Sequence, residues 1–501
     1  LPQQLLAAHS SHIIPSSHCN AYFCGVKRKK SVVLQQVLVE SYAAEGKCLA
    51  RVDGKVIFIE NTVPGDVVDV LLHKNKKDWA EGYPVAFHSY AKERVQPFCE
   101  HFGVCGGCQW QMLPYEKQLQ YKQQQVTDNL TRIAKVTLPA IQPIVGCNHT
   151  THYRNKMEYT FANKEFIPKE KFAALKAAHD GVIPETLGAA GFHAKGIFDK
   201  IVSIEKCHLQ EEPTNRVRLL IRDYALQHQL PFYDIKNHTG WLRNVQVRIA
   251  TTGEVMVNVV IGYEDEDNTK ALLDYLLQQE PSITTLLYTI NQKWNDSLFD
   301  QTPIVYFGKG YIIEQLEAFR FKISPKSFFQ TNSKQAEQLY RITRDFAELN
   351  GTQTVYDLYC GTGSIGIFVS QQAKKIVGVE VVADAIADAH ENATLNGLNH
   401  CSFFTGDVID ICDDAFFAQH GRPDVVITDP PRAGMHEKLV NKLLDIAAPV
   451  IVYVSCNPAT QARDVALLDA KYSVTKIQPV DMFPHTLHIE NVVQLKLRTD
   501  L

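Results

Sequence analysis

The chain has 501 residues, 45% of them hydrophobic and 21% charged, with a formal net charge of −4. That length allows about three domains, each able to bury its own core. No apolar run approaches the roughly 18 residues of a membrane span, and the charge excludes a protein that coats nucleic acid indiscriminately, so any RNA or DNA partner is held by local basic patches.

Residues 1–25 are rich in His, Ser and Gln and lack the basic start and continuous apolar core of a signal peptide. Residues 1–30 are read as a disordered or mis-assigned extension. Within them His9, His12, His18, Cys19 and Cys24 have the composition of a metal-binding tract, which by itself argues little. Of the twelve cysteines, three crowd between Cys99 and Cys108 while the others are scattered. Scattered thiols without an export signal indicate a reducing cytoplasm. Neither a membrane nor a stable protein partner is expected.

Residues 31–92 are β-like. Short apolar runs at 32–34, 37–39, 47–52, 56–59 and 67–72 are split by Gly and Pro turns, and Asp53-Gly54 is a hairpin signal. Five short strands in such a span predict a small barrel of the oligonucleotide-binding kind. Lys27 to Lys30 precede it, and Lys74, Lys76 and Lys77 lie on a late loop beside Trp79. Lysines beside an aromatic suit a single-stranded backbone and a stacked base, and equally suit a solvated loop.

Residues 93–315 read as α+β, with a polar helix carrying a Tyr and Leu stripe over 114–134 and strands around 156–162 and 245–261. Cys99, Cys105 and Cys108 sit on one tight loop, Cys105-Gly106-Gly107-Cys108, whose glycines let the backbone fold round a bulky guest. Cys207 is the natural fourth ligand. Four thiolates serve zinc and a [4Fe–4S] cluster alike, and spacing leaves both open. Tyr153-Arg154-Asn155-Lys156 offers cations and a ring to a displaced nucleic-acid backbone, or a solvated strand.

Residues 316–501 alternate strands and helices in the doubly wound manner, with strands at 355–358, 375–379, 402–404, 424–428, 450–454 and 492–497. Gly361-Thr362-Gly363-Ser364-Ile365-Gly366 fits G-x-G-x-x-G after a strand, and Glu380 closes the next strand where an acid bonds ribose hydroxyls. This supports a nucleoside cofactor without separating NAD from S-adenosylmethionine. Asp429-Pro430-Pro431-Arg432 follows another strand end, looks like a methyltransferase feature, and has no evident role in hydride transfer. Ser455-Cys456-Asn457-Pro458 ends the run Val450-Ile451-Val452-Tyr453-Val454 and fixes one thiol at the sheet's carboxyl edge, where open α/β sheets bind ligands. Cys360, beside the cofactor turn, is expected to pack or line the pocket.

With these motifs the chain resembles the RNA uracil-C5 methyltransferases, and within them the 23S ribosomal RNA branch that carries an iron–sulfur cluster and an N-terminal TRAM domain. The likeness runs from about Ser31 to the C-terminus. It implies a TRAM RNA-binding barrel, a central α+β domain with a [4Fe–4S] cluster on Cys99, Cys105, Cys108 and Cys207, and a C-terminal Rossmann-like S-adenosylmethionine-dependent domain. It carries cofactor contacts onto Gln330 (in Ser327-Phe328-Phe329-Gln330-Thr331-Asn332), Tyr359, Gly361, Gly363, Ser364, Glu380, Asp407 and Asp429. Ser364 and Asp407 stand where some members have Asn. Cys456 matches the nucleophile and Glu490, in His488-Ile489-Glu490-Asn491-Val492, the general base. The implied reaction adds the thiolate to uracil C6, methylates C5 and removes the C5 proton. Its target base must be flipped out or already unpaired. The implied partner is 23S ribosomal RNA. A transfer-RNA enzyme is the alternative, in a branch that typically lacks the TRAM domain and the cluster. A catalytically inactive RNA-binding scaffold and a Rossmann oxidoreductase are further alternatives, disfavoured by Cys456, Glu490, Gln330 and Asp429 together and by the D-P-P and Cys-Asn-Pro turns.

Overall fold

A computed structural model describes residues 32–43, 46–178, 180–181 and 188–499. The expectations for residues 1–30, including the His and Cys tract, lie outside the described residues. Three large sheets follow one another along the chain.

The first has strands β1 (Val32–Leu38), β2 (Ser41–Tyr42), β3 (Cys48–Val52), β4 (Lys55–Ile59), β5 (Val67–Asn75) and β6 (Trp79–Ser89), in the order β1-β5-β6-β4-β3-β2. The end strand β1 also packs on β3, so the sheet curls over one small core that includes Val37, Cys48, Ile57, Val68 and Ala80. Two apolar runs expected as separate strands are one. Gln36, at φ 51°, makes a bulge that shifts the register between Leu34 and Val37, so both halves of β1 pair with β5. Asp53 and Gly54, at φ 51° and 77°, form the two-residue turn whose positive angles match strand twist. Strand β6 was not legible in the sequence, because Gly82 and Pro84 break its alternation.

The second sheet joins β7 (Lys156–Ala162), β8 (Ala189–His193), β9 (Ile201–Ser203), β10 (Leu242–Ile249), β11 (Val255–Ile261), β12 (Thr285–Ile290) and β13 (Ile304–Phe307), ordered β13-β12-β11-β10-β7-β8-β9. Helices Thr214–Gln227 and Glu266–Gln279 bury Val217, Ile221, Leu272 and Leu276 in its core. The helix expected over 114–134 is Tyr115–Asn129 plus a π turn, Leu130–Ala134. Its buried face is Gln118, Lys122 and Val126 and not a Tyr and Leu stripe, because polar partners for the first two, Asp481 and His485, wait in the segment between the last two strands of the third sheet.

The hairpin β14 (Ile312–Leu316) and β15 (Phe319–Ile323) leads into that sheet: β16 (Thr354–Leu358), β17 (Lys375–Glu380), β18 (Cys401–Thr405), β19 (Val425–Thr428), β20 (Val450–Ser455), β21 (Tyr472–Val480) and β22 (Glu490–Leu497). The order is β18-β17-β16-β19-β20-β22-β21, parallel except for β22. Successive residues feed opposite faces. Val355, Ile376, Ile427 and Val452 enter one core, and Tyr356, Val377, Val426 and Ile451 the other. A strand buried on both faces reads as a continuous apolar run, which is why these strands were visible in the sequence. Strand β21 was not, since Ser473, Thr475, Lys476 and Gln478 dilute it.

Candidate active site

Registers in the third sheet put a row of polar side chains along its carboxyl edge. Leu358 pairs with Val379 and with Thr428, so Tyr359, Glu380 and Asp429 stand level on three neighbouring strands. Glu380 pairs with Thr405, two residues before Asp407. Cys456 follows β20. Strand β22 runs the opposite way, so its first residue lies at this same edge. Asn491 pairs with Ser455, which sets Glu490 beside Cys456. With strands about 4.8 Å apart, the row from Asp407 to Glu490 spans roughly 24 Å, the scale of a nucleoside ligand and a reacting base together.

The glycine turn is shaped to leave room. Tyr359, Gly361 and Gly363 have φ of 60°, 53° and 75°. A Cβ on Gly363 would meet the Phe403 ring at 2.8 Å, whereas one on Gly361 would meet nothing within 4 Å. The first glycine therefore faces open space and the second allows close packing. Glu380 braces the turn: Gly361 N donates to its carboxylate at 3.3 Å and Val382 N at 3.0 Å. Ser364 pairs with the Tyr340 hydroxyl at 2.9 Å. Asp407, exposed, caps the helix Val408–Ile411 through Ile409 N at 2.9 Å. Gln330 is buried on the segment before helix Ser333–Ala347, and its carbonyl accepts from Asn155 Nδ2 at 2.9 Å. Cys360 packs in the core below the turn.

At the other end of the row Asn457 caps the helix Pro458–Leu468, with proline at its first turn. Its Nδ2 also donates to Arg432 O at 3.0 Å, tying the D-P-P-R loop to the nucleophile turn. Arg432 Nη2 in turn donates to His488 Nδ1 at 3.0 Å. Burial pushes the Cys456 thiol up to about 11, the Glu490 and Asp429 carboxyls adding to it and Arg432 opposing. Burial, then the charge of Asp429, raises Glu490 well above the usual carboxylate range. Burial raises Asp429 to about 7. Two neighbouring buried carboxyls are each harder to ionise than an exposed one. Arg432 and His488 were not singled out from the sequence, although both lie inside motifs that were. Phe328, beside Gln330, is 71% exposed while Phe329 is buried.

The segment from β21 to Glu490 is held from below. Lys122 Nζ lies 2.6 Å from Asp481 Oδ1, both side chains fully buried. Tyr115 donates to Asp481 at 2.8 Å, and Gln118 bonds both ends of the His485 residue. Tyr153 is itself buried, its hydroxyl donating to Pro484 O at 3.0 Å. The expected RNA-facing ring is therefore a strut, and Asn155 beside it joins Gln330, Thr331 and Ser333.

Cys99, Cys105, Cys108 and Cys207 line one cavity of about 290 Å³, whose wall also includes Thr486 and His488. Gly106 N donates to His193 O, fastening the three-thiol loop to β8. Asn215 holds Cys207 by both backbone groups, N at 2.8 Å and O at 3.1 Å. Burial raises Cys105 to about 11 and Cys108 to about 12. Uncharged, crowded thiols around a shared hollow are a donor set that a soft metal group would deprotonate and occupy. Among the described residues no three His, Cys, Asp or Glu side chains converge on a single ion position. A larger cleft of about 1390 Å³, lined by residues that include Arg154, Asn155, Lys206, Asn332 and Lys334, contains neither the glycine turn nor Cys456.

A doubly wound sheet with a glycine turn, an acid closing the next strand and a D-P-P turn at one edge is the framework of a nucleoside-cofactor enzyme. The sequence pattern of the methyltransferase small domain matches residues 342–452, that of the TRAM domain residues 30–85, and that of tRNA (Uracil-5-)-methyltransferase residues 417–498. An RNA methyltransferase of Bacteroides thetaiotaomicron is 50% identical over 91% of this chain and 100% of its own length. One of Porphyromonas gingivalis is 48% identical over 92% and 100%. The chain belongs to the RNA uracil-C5 methyltransferase family and has the S-adenosylmethionine-dependent fold. The solved structure of Pyrococcus abyssi tRNA (uracil-54, C5)-methyltransferase, in complex with S-adenosyl-L-homocysteine, is similar with a TM-score of 0.70 and 26% identity, over 92% of this chain and all of that one. A tRNA enzyme thus matches nearly the full length, and the extra domains do not by themselves separate ribosomal from transfer RNA targets. Among the described residues no helix is long and apolar enough to cross a membrane.

Proposed function

We propose that this protein methylates C5 of a uridine in 23S ribosomal RNA through a covalent adduct on Cys456. The observation that carries this reading is the antiparallel return of β22, which sets Glu490 beside Cys456 at the carboxyl edge. S-adenosylmethionine supplies the methyl group as a sulfonium electrophile. Gln330, Tyr359, Ser364, Glu380, Asp407, Asp429 and the turn at Gly361 and Gly363 bind it, with Glu380 on the ribose hydroxyls. Cys456 Sγ adds to C6 of the uracil, so that C5 gains the electron pair with which it takes the methyl group. Glu490 then removes the C5 proton, the S–C6 bond breaks, and the ring is restored. A carboxyl raised by burial is a stronger base than an exposed one, which suits this proton transfer. The thiol is also raised, so its proton passes to solvent only as the adduct forms and is regained by the sulfur when the S–C6 bond breaks, and Arg432 is the cation beside it.

Cys99, Cys105, Cys108 and Cys207 would hold a [4Fe–4S] cluster as a structural group. Four thiols lining one hollow are the donor set that such a cluster needs. The TRAM sheet and Phe328 would engage RNA, the ring by stacking an unpaired base. Lys74 already lies 4.5 Å over Trp79.

The test is transfer of labelled methyl from S-adenosylmethionine to unmodified 23S RNA and to unmodified transfer RNA, with Cys456→Ala alongside. Label as 5-methyluridine in ribosomal RNA, absent with the variant, is expected. Label only in transfer RNA keeps the mechanism and replaces the substrate, a second reading that the Pyrococcus neighbour favours. No label in either ends the proposal.

A further inference from the structure

We propose that His488 is a positioning residue that holds the Arg432 guanidinium beside Cys456 and Glu490, where negative charge develops during the reaction. The inference deepens the proposed methyl transfer and rests on that reading. Arg432 is on an exposed loop, and its backbone is fixed from outside: Asn457 Nδ2 and Thr460 Oγ1 both donate to its carbonyl, at 3.0 and 3.3 Å. Its long side chain is a separate matter. Among the described residues His488 Nδ1, at 3.0 Å, is the hydrogen-bond partner of the guanidinium.

A guanidinium has donors only, so Nδ1 is the acceptor and the ring proton of the neutral imidazole sits on Nε2. The ring packs in a T-shaped pair with Phe483, centroids 6.2 Å apart and planes at 87°. His488 also forms part of the cysteine cavity wall and lies two residues before Glu490. One short segment therefore carries the expected base and the group that steers the cation. The cation matters to both ends of the chemistry, since Arg432 opposes the upward push that Glu490 and Asp429 exert on the thiol, and opposes that of Asp429 on Glu490. A free arginine would have many rotamers, of which few face the thiol.

The test needs no substrate in its first arm. Cys456 alkylation by iodoacetamide over a fixed time is followed from pH 7 to 10 by mass spectrometry of its peptide, in the wild type, His488→Leu, His488→Asn and Arg432→Gln proteins, and the midpoint compared is the pH of half-modification, set by reagent concentration well below the pKa of the thiol. The Asn variant keeps an acceptor at the Nδ1 position and the Leu variant does not. With His488→Leu and Arg432→Gln the midpoint is expected to move to higher pH, and with His488→Asn it stays. In the second arm His488→Leu lowers kcat about 30-fold, the scale of a lost hydrogen bond to a charged group, with KM for S-adenosylmethionine unchanged. His488→Asn restores kcat to within about threefold. His488→Leu adds nothing in the Arg432→Gln background. An unmoved midpoint in His488→Leu when Arg432→Gln does shift, or an Asn variant as impaired as the Leu variant, overturns the proposal. Should His488→Leu not fold, His488→Gln, whose acceptor is displaced by one carbon, replaces it under the same expectations. A wild-type protein that alkylates as described yet methylates no uracil would sink the methyl-transfer reading and leave the Arg432–His488 contact standing.

Discussion

Lys122→Met removes the cation beneath the turn that carries His488 and Glu490. In the native protein Lys122 Nζ contacts Asp481 Oδ1 at 2.6 Å and donates to Phe483 O at 3.1 Å, with neither side chain reaching solvent. Burial alone would drive the ammonium to give up its proton, and Asp481 opposes that. Asp481 keeps two other donors, the Tyr115 hydroxyl at 2.8 Å and Phe483 N at 3.0 Å, but neither is charged. Taking away one partner of such a buried pair costs about 3–5 kcal/mol, because the other charge remains buried and uncompensated. A chain of several domains does not unfold in one step, so the assay is local: amide hydrogen exchange across residues 481–489. A loss of ~3 kcal/mol speeds exchange there by about a hundredfold. Lys122→Met/Asp481→Asn, with both charges gone, recovers most of that protection. Turnover falls in the single variant while KM for S-adenosylmethionine holds, since Glu380 and the glycine turn stand on other strands. Exchange within threefold of wild type in Lys122→Met would refute the view that this pair holds the turn.

Three further outcomes follow from the site. Glu490→Gln forms the Cys456 adduct and transfers the methyl group but cannot release it, so a denaturation-resistant RNA–protein complex accumulates on gels; free 5-methyluridine at the wild-type rate would exclude Glu490 as the base. Asp357 is buried, accepts from Gly366 N at 2.8 Å and leaves its other oxygen unpartnered, and burial lifts it from the usual 3.8 to about 7. The folded protein thus keeps this proton to higher pH than the unfolded chain, and its contribution is full below about pH 4 and lost as pH rises through 7. Asp357→Asn should therefore slow amide exchange across residues 354–366, relative to wild type at the same pH, more at pH 8.5 than at pH 5, within a bound of ~4 kcal/mol; an equal change at both pH values counts against it. Anaerobically purified protein should contain iron and acid-labile sulfide, both lost in Cys207→Ser together with exchange protection of residues 99–108, and stoichiometric zinc instead would replace the cluster.

Much of the site was legible because each element announces itself locally. The glycine turn needs positive φ, the acid closing β17 and the D-P-P turn mark strand ends, and Cys456-Asn457-Pro458 combines a strand end with a helix cap. Their strands are buried on both faces and read as unbroken apolar runs. Less was legible where polar residues are buried for long-range reasons. Gln118 and Lys122 on one helix satisfy His485 and Asp481, more than 350 positions away in the chain. Tyr153 had the residue type of an RNA contact and is a strut.

The sequence by itself determined the fold class, the cofactor turn, the candidate nucleophile and the cluster of Cys99, Cys105 and Cys108, since each is a pattern of neighbours or a short spacing; that Cys207 joins those three is a tertiary fact. Only the tertiary structure decided that Glu490 faces Cys456, because that depends on β22 entering the sheet antiparallel between β20 and β21. It also decided that the cysteine cavity abuts the segment leading to the expected base, although Cys99 and His488 lie far apart in the chain. Pairing direction and the packing of one domain on another are set by burial summed over the whole molecule, and no local run of residues encodes them.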